Sequence, residues 1–168
     1  MKLDLRKAYD SVEWSFLQQV MLAFGFPAEF VEKVMLCIST AQYSILINGT
    51  PFGYFKGCRG LRQGDPISPY LFVIGMEYLS RLLKQLAEDP QFSFHQHCKS
   101  LRLNHLLFAD DLMMFSKADY YSTMALKRNF EKFSKASGLQ VNNEKSQVLV
   151  SGVPEATQNS IINNVRLC

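Results

Sequence analysis

Two adjacent carboxylates, Asp110 and Asp111, sit between the apolar runs Leu103-Asn104-His105-Leu106-Leu107 and Leu112-Met113-Met114-Phe115. Each run has the length and composition of a short, well-buried strand, which puts the doublet on the tight turn of a hairpin. Acidic side chains are rarely buried unless something positive compensates them. A chain that drives two of them between such strands has to bring a cation there, and a metal ion is the natural one. A third carboxylate, Asp4, stands in another apolar strand start, Lys2-Leu3-Asp4-Leu5. Taken alone, the doublet fits an ordinary polar hairpin turn equally well, because Asp favours turns. The function hangs on whether Asp4 and Asp110 meet.

The rest of the composition removes several classes. With 168 residues, 48% of them hydrophobic and 20% charged, the chain can bury one domain core and is not disordered. A net charge of +3 permits nucleic acid as a partner without arguing for it. Cys37, Cys58, Cys98 and Cys168 are widely spaced, with no Cys-x-x-Cys pair, so reduced intracellular thiols are expected rather than disulfides or zinc. The most apolar stretch, Pro69 to Leu83, is interrupted by Glu77 and Arg81 and is too short to span a bilayer, so no membrane partner is expected. A strand beginning almost at Met1 has nothing ahead of it to pack against. The chain therefore reads as a piece of something longer.

Periodicity supplies the elements. Lys2 to Arg6 reads as a strand. Asp10, with Glu13 three residues on, reads as the cap of a helix carrying Trp14, Leu17, Val20, Met21 and Phe24, stopped by Gly25. Pro27 opens a second helix. Tyr43 to Ile47 and Phe52 to Phe55 flank the hairpin turn Asn48-Gly49. Ser68 reads as the cap, and Pro69 as the first turn, of a long helix fading near Asp89-Pro90. After the acidic hairpin come a helix from about Tyr120 to Ala136, stopped by Gly138, and a last short strand, Val148-Leu149-Val150. The segment from Pro154 is polar. This order suits an α+β fold, an antiparallel sheet with helices on one face. In a βαββαβ arrangement the first strand lies beside the central hairpin, which makes Asp4 and the Asp110 turn neighbours.

Three clustered aspartates repel one another by roughly 4 kcal/mol per close pair at an effective dielectric near 20. Magnesium relieves that repulsion and keeps waters for a phosphate ligand. Two such ions can activate a hydroxyl and steady a leaving oxygen in phosphoryl transfer. Gly60-Leu61-Arg62-Gln63-Gly64-Asp65-Pro66 combines close backbone approach with a guanidinium fork and an amide, just before a helix N-terminus. A capped surface loop has the same composition. Tyr9, in Arg6-Lys7-Ala8-Tyr9-Asp10, can pack a flat sugar or base, or simply fill the core. Lys145, in Gly138-Leu139-Gln140-Val141-Asn142-Asn143-Glu144-Lys145, can give a proton or touch a phosphate, or simply be solvated.

Taken in order, Leu3 to Asp10, Gly60 to Pro69, Phe108 to Asp111 and Gly138 to Lys145 resemble the palm of reverse transcriptases, most of all the non-LTR (LINE-type) enzymes common in plant genomes. The resemblance implies a polymerase palm with a ferredoxin-like core and a set of roles. Asp4, Asp110 and Asp111 are catalytic and bind two Mg2+ ions, for which Mn2+ can substitute. Leu5, Tyr9, Arg62, Gln63 and Gly64 face nucleotide and template, with Tyr9 as the gate against a 2′-hydroxyl. Lys145 is the general acid for pyrophosphate. It implies RNA template, DNA primer and deoxynucleoside triphosphates as partners, and a nuclear parent element. On this reading 1–152 is a palm without fingers or thumb, 153–168 is a tail leading toward the thumb, and the isolated chain is expected to be inactive. Two other readings stay open: a non-catalytic retrotransposon remnant acting as an interaction module, and a group II intron maturase-like palm.

Overall fold

The computed structural model describes residues 1–165. Cys168 and the last residues of the predicted tail lie outside the described residues. Strand β1 (Lys2–Arg6) is followed by the one-turn helix α1 (Ala8–Ser11), α2 (Trp14–Ala23) and α3 (Ala28–Ser39). The hairpin β2 (Gln42–Ile47) and β3 (Thr50–Lys56) comes next, then the long helix α4 (Ser68–Leu86). Strands β4 (His105–Phe108) and β5 (Asp111–Met114) precede α5 (Tyr120–Ser137), β6 (Gln140–Val141) and α6 (Glu155–Val165).

The main sheet has the order β4-β5-β1-β6 with every pairing antiparallel, the βαββαβ arrangement. Alternation along β1 and β5 sends Leu3, Leu5, Leu112 and Met114 into the core, between 0 and 3% exposed. They meet Leu79 and Leu83 of α4 and Phe130 and Phe133 of α5, all buried. The helices therefore cover one face, as expected. The opposite face carries Lys2, Asp4 and Arg6 of β1 and Asp111 and Met113 of β5, because a period of two sends alternate residues there. Hairpin β2–β3 forms a separate two-stranded sheet and leaves Ile45, Leu46, Phe52 and Tyr54 more than half exposed.

Four local expectations change. Asp10 does not cap α2. It lies inside α1, and the cap position of α2 is Glu13, whose side chain makes no capping bond. Glu13 is held instead by tertiary partners, its N–H donating to Ser137 O at 2.9 Å and its carboxylate meeting Arg59 at 3.4 Å. Ser68 does not cap α4 either. Asp65 accepts the Ile67 N–H at 3.0 Å, and the Ser68 hydroxyl is buried without a partner among the described residues. Val148 to Val150 is not a strand. Gln140 and Val141 pair with Arg6 and Leu5, and Gln147 bridges Lys2 at the far end of β1, so no length of β1 is left for residues 148–150. Finally, the acidic turn is Ala109-Asp110 alone. Asp111 already belongs to β5, opposite Phe108.

One buried polar group ties β4 to α4. His105 Nδ1 lies 2.7 Å from Asn104 Oδ1, while Asn104 Nδ2 donates to Leu83 O at 2.6 Å. The amide oxygen only accepts, so Nδ1 carries the proton and Nε2 accepts from the Ser80 hydroxyl at 3.0 Å. Burial, reinforced by the Lys84 charge and opposed by Glu77, lowers the His105 pKa below 6.5. The unfolded chain then binds the extra proton between the folded value and 6.5. Stability is complete above about pH 6.5 and is lost as pH falls through that window. Urea midpoints measured across it should decline toward acid, and His105→Gln should flatten that part of the profile.

Candidate active site

The carboxylates are brought together by strand register. Asp4 lies directly opposite Asp111 across the β1–β5 ladder. Directly opposed residues put their Cβ atoms about 5 Å apart on one face of a sheet. Asp110 follows from the tightness of the turn. Only two residues join β4 to β5, and Ala109 takes a φ of 51° to close it. A left-handed residue with a Cβ is uncommon. A second one, Lys7 at φ 46°, turns the chain from β1 into α1. Strained backbone of this kind concentrates where a site is being shaped.

Between these two points opens a polar cleft of about 420 Å³ lined by Asp4, Leu5, Arg6, Lys7, Tyr9, Gln63, Asp110, Asn142 and Lys145. Six residues singled out from the sequence therefore share one cavity: Asp4, Leu5, Tyr9, Gln63, Asp110 and Lys145. Leu5 reaches it only at its edge, since the side chain is 3% exposed and sits in the core. Asp111, Arg62 and Gly64 are not in the lining. The Asp111 carboxylate is 3.9 Å from Lys2 Nζ, a neighbour on the same face. A larger cavity, about 480 Å³, lies under α6 between Met1, Leu3, Val141 and Val165, but no acidic or basic side chain lines it.

Each wall of the cleft has its own support. The Tyr9 ring stacks on Phe72 of α4, with centroids 5.0 Å apart and planes 13° apart, so it presents a fixed flat surface. The Gln63 loop is pinned just upstream. Gly60 N donates to Val12 O at 2.8 Å, Leu61 N to Tyr9 O at 2.7 Å, and Trp14 Nε1 to Gly60 O at 2.7 Å. The Lys145 wall is tied to β1 through two residues that sequence reasoning passed over. Asn142 N donates to Asp4 O at 2.8 Å, and Asp4 N donates to Ser146 Oγ at 3.0 Å. The available signal was the Asn142-Asn143-Glu144 turn composition.

Among the described residues, the Asp4 and Asp110 carboxylates have neither an ion pair nor a hydrogen-bond partner. Nor are any three His, Cys, Asp or Glu side chains there grouped closely enough to hold a metal by themselves. Two unpaired hard oxygen donors beside an open polar space suit magnesium, which uses one or two carboxylates and completes its shell with water and phosphate.

Comparison with known proteins matches this architecture. The family model for reverse transcriptase (RNA-dependent DNA polymerase) matches residues 1–161. The retrovirus-related Pol polyprotein from the type-1 retrotransposable element R2 of Popillia japonica is 32% identical over 154 residues, covering 84% of this chain and 25% of that protein. An uncharacterized mitochondrial protein of Arabidopsis thaliana is 49% identical over 67 residues, covering 39% of this chain and 55% of that one. The solved structure of apo telomerase from Candida tropicalis superposes with a TM-score of 0.64 at 15% identity, over 92% of this chain and 31% of that one, which shows a common fold. The chain thus spans a quarter of the length of the R2 relative and about half that of the Arabidopsis one. Among the described residues no helix is long and apolar enough to cross a membrane. An antiparallel palm sheet, a cleft flanked by two unpaired aspartates and a family match over almost every residue lead to one assignment: this chain belongs to the reverse transcriptase family of RNA-dependent DNA polymerases, as a domain of the non-LTR retrotransposon type.

Proposed function

We propose that the cleft is the nucleotidyl-transfer site of a LINE-type enzyme of the kind carried by plant genomes, which extends a DNA primer on an RNA template with deoxynucleoside triphosphates. The observation that carries this is the meeting of Asp4 with Asp110, about a hundred residues later in sequence, at one cleft with Tyr9, Gln63 and Lys145, while Asp111 stands opposite Asp4 across the β1–β5 ladder. Asp4 and Asp110, with Asp111 beside them, would hold two divalent ions, magnesium or manganese. When bound, these supply charge that activates a hydroxyl and stabilises a leaving phosphate. Tyr9, backed by Phe72, forms a flat wall that crowds a ribose 2′-hydroxyl. Gln63 hydrogen-bonds the incoming nucleotide, and Arg62 and Gly64 continue that loop toward the template. Lys145, on the wall of the same cleft, would pass its proton to departing pyrophosphate. The match to a mitochondrial protein of Arabidopsis is in keeping with the plant assignment, and a nuclear parent element belongs to the LINE-type reading alone.

In this reading 1–152 is the palm, and the segment from 153, including α6, leads toward a thumb. Duplex affinity comes from summed phosphate contacts, and a net charge of +3 supplies few. The isolated chain should therefore extend a primed RNA template little or not at all, and robust extension would overturn the fragment reading. The cation site has a separate test. Magnesium at about one hundred times its dissociation constant stabilises a folded protein by roughly 2.7 kcal/mol, or roughly 5–10 °C of melting temperature for a chain of this size. Asp110→Asn should abolish that rise. A wild-type melting curve indifferent to both magnesium and manganese would sink the assignment of the cleft.

A further inference from the structure

Both main-chain polar groups of Asp4 are bound by one short turn. Its carbonyl accepts the Asn142 N–H at 2.8 Å, and its N–H donates to Ser146 Oγ at 3.0 Å. Gln147 then exchanges two backbone hydrogen bonds of 2.8 Å with Lys2. Within the turn, Asn142 Oδ1 accepts the Glu144 N–H at 3.2 Å and Asn142 O accepts the Lys145 N–H at 3.2 Å. A side chain that accepts from the amide two residues on closes an Asx turn, which sets the direction of the residues that follow. The next residue is Lys145, and Asn142, Lys145, Asp4 and Asp110 all line the same cleft.

We propose that Asn142 is a positioning residue. It holds Lys145 over the Asp4 strand, so that the cleft's cationic wall and its carboxylate keep one fixed spacing whatever the rest of the loop does. The inference rests on the reading of the cleft as a divalent-cation site. Asn142 suits the task because it bonds the Asp4 main chain through its own N–H and leaves its side chain free to shape the turn. Alanine keeps the first bond and removes the second.

Manganese titrated into the isotopically labelled whole chain provides the measurement, because a paramagnetic ion broadens nearby resonances far more than distant ones. In the wild type, Leu5, Val141 and Lys145 should all broaden. In Asn142→Ala, broadening at Lys145 should fall, because loss of one neutral hydrogen bond shifts the equilibrium of a two-state turn about fivefold toward its open form. Broadening at Leu5 and Val141 should stay. Asn142→Ser, with a shorter acceptor, should lie between the two. Unchanged broadening at Lys145 in Asn142→Ala would overturn the proposal. So would a loss that is equal at all three residues, since Asn142 would then support the ion or the sheet itself. A wild type without broadening at any of the three would overturn the cation reading, and this inference with it.

Discussion

Gly60→Ala is expected to destabilise the protein by about 3 kcal/mol and to displace the Arg62-Gln63-Gly64 loop. Two costs add. Gly60 sits at φ 90°, a region that costs a residue with a Cβ roughly 1–2 kcal/mol. An added Cβ would also lie 2.8 Å from Asp10 O and 2.9 Å from Asp10 C, main-chain atoms that cannot rotate away. Overpacking of this kind costs roughly 1–3 kcal/mol. Relief by shifting the loop would break the Gly60–Val12, Leu61–Tyr9 and Trp14–Gly60 hydrogen bonds together, and these keep Gln63 at the cleft. Gly64→Ala is the internal control. Gly64 has a φ of 86°, but a methyl group added there would meet nothing within 4 Å, so it should lose only the conformational part. Equal urea midpoints for the two variants would show that the Asp10 contact carries no cost.

Leu112→Ala should cost about 3–4 kcal/mol, within the range for fully buried leucines, and lower the melting temperature by roughly 6–16 °C. Leu112 is 0% exposed and lies opposite both Leu3 and Leu107. It sits one residue after Asp111 and projects to the other face, so its packing against the helix layer holds the strand whose far side presents the carboxylates. The expected result therefore has two parts. Stability falls, and the magnesium-dependent rise in melting temperature shrinks, although no carboxylate has been touched. Leu106→Ala, on the half-exposed face of β4, should change neither by much. A Leu112→Ala protein that melts like the wild type would mean that the helix layer does not clamp β5.

These two sites differ in how visible they are in the chain. The burial of the run from Leu112 follows from its apolar composition beside the doublet, although a continuous apolar run does not say that Leu112 and Met114, rather than Met113, face the helices. The demand at Gly60 does not, because a glycine-containing loop reads the same whether its Cα faces solvent or the main chain of Asp10. The helix caps show a similar limit. Asp10 with Glu13, and Ser68 before Pro69, have capping compositions, yet Glu13 is engaged by Arg59 and the end of α5, and α4 starts without a side-chain cap, Asp65 accepting the N–H of Ile67 just ahead of it. Local capping preference is worth about 1 kcal/mol, and a tertiary contact of equal size can replace it. The outer neighbour of β1 differs from expectation for a related reason. Val148-Leu149-Val150 has the stronger strand composition, but Gln140 and Val141 leave α5 directly beside β1 and reach the edge first. Asn142 and Ser146 act on the Asp4 main chain, one through its N–H and the other through its hydroxyl, and which strand they would meet is not written in their neighbours.

The linear order of residues determined most of the elements, the α+β class and the identity of the carboxylates, because hydrophobic period and turn chemistry are local properties carried by neighbouring side chains. Only the folded chain decided which of those carboxylates share a cleft: Asp4 and Asp110 at its lining, Asp111 drawn toward Lys2, Lys145 delivered by a turn bound to β1. Register, close approach and backbone hydrogen bonding between distant segments are set by packing, where the free energy depends on what lies opposite a residue rather than beside it.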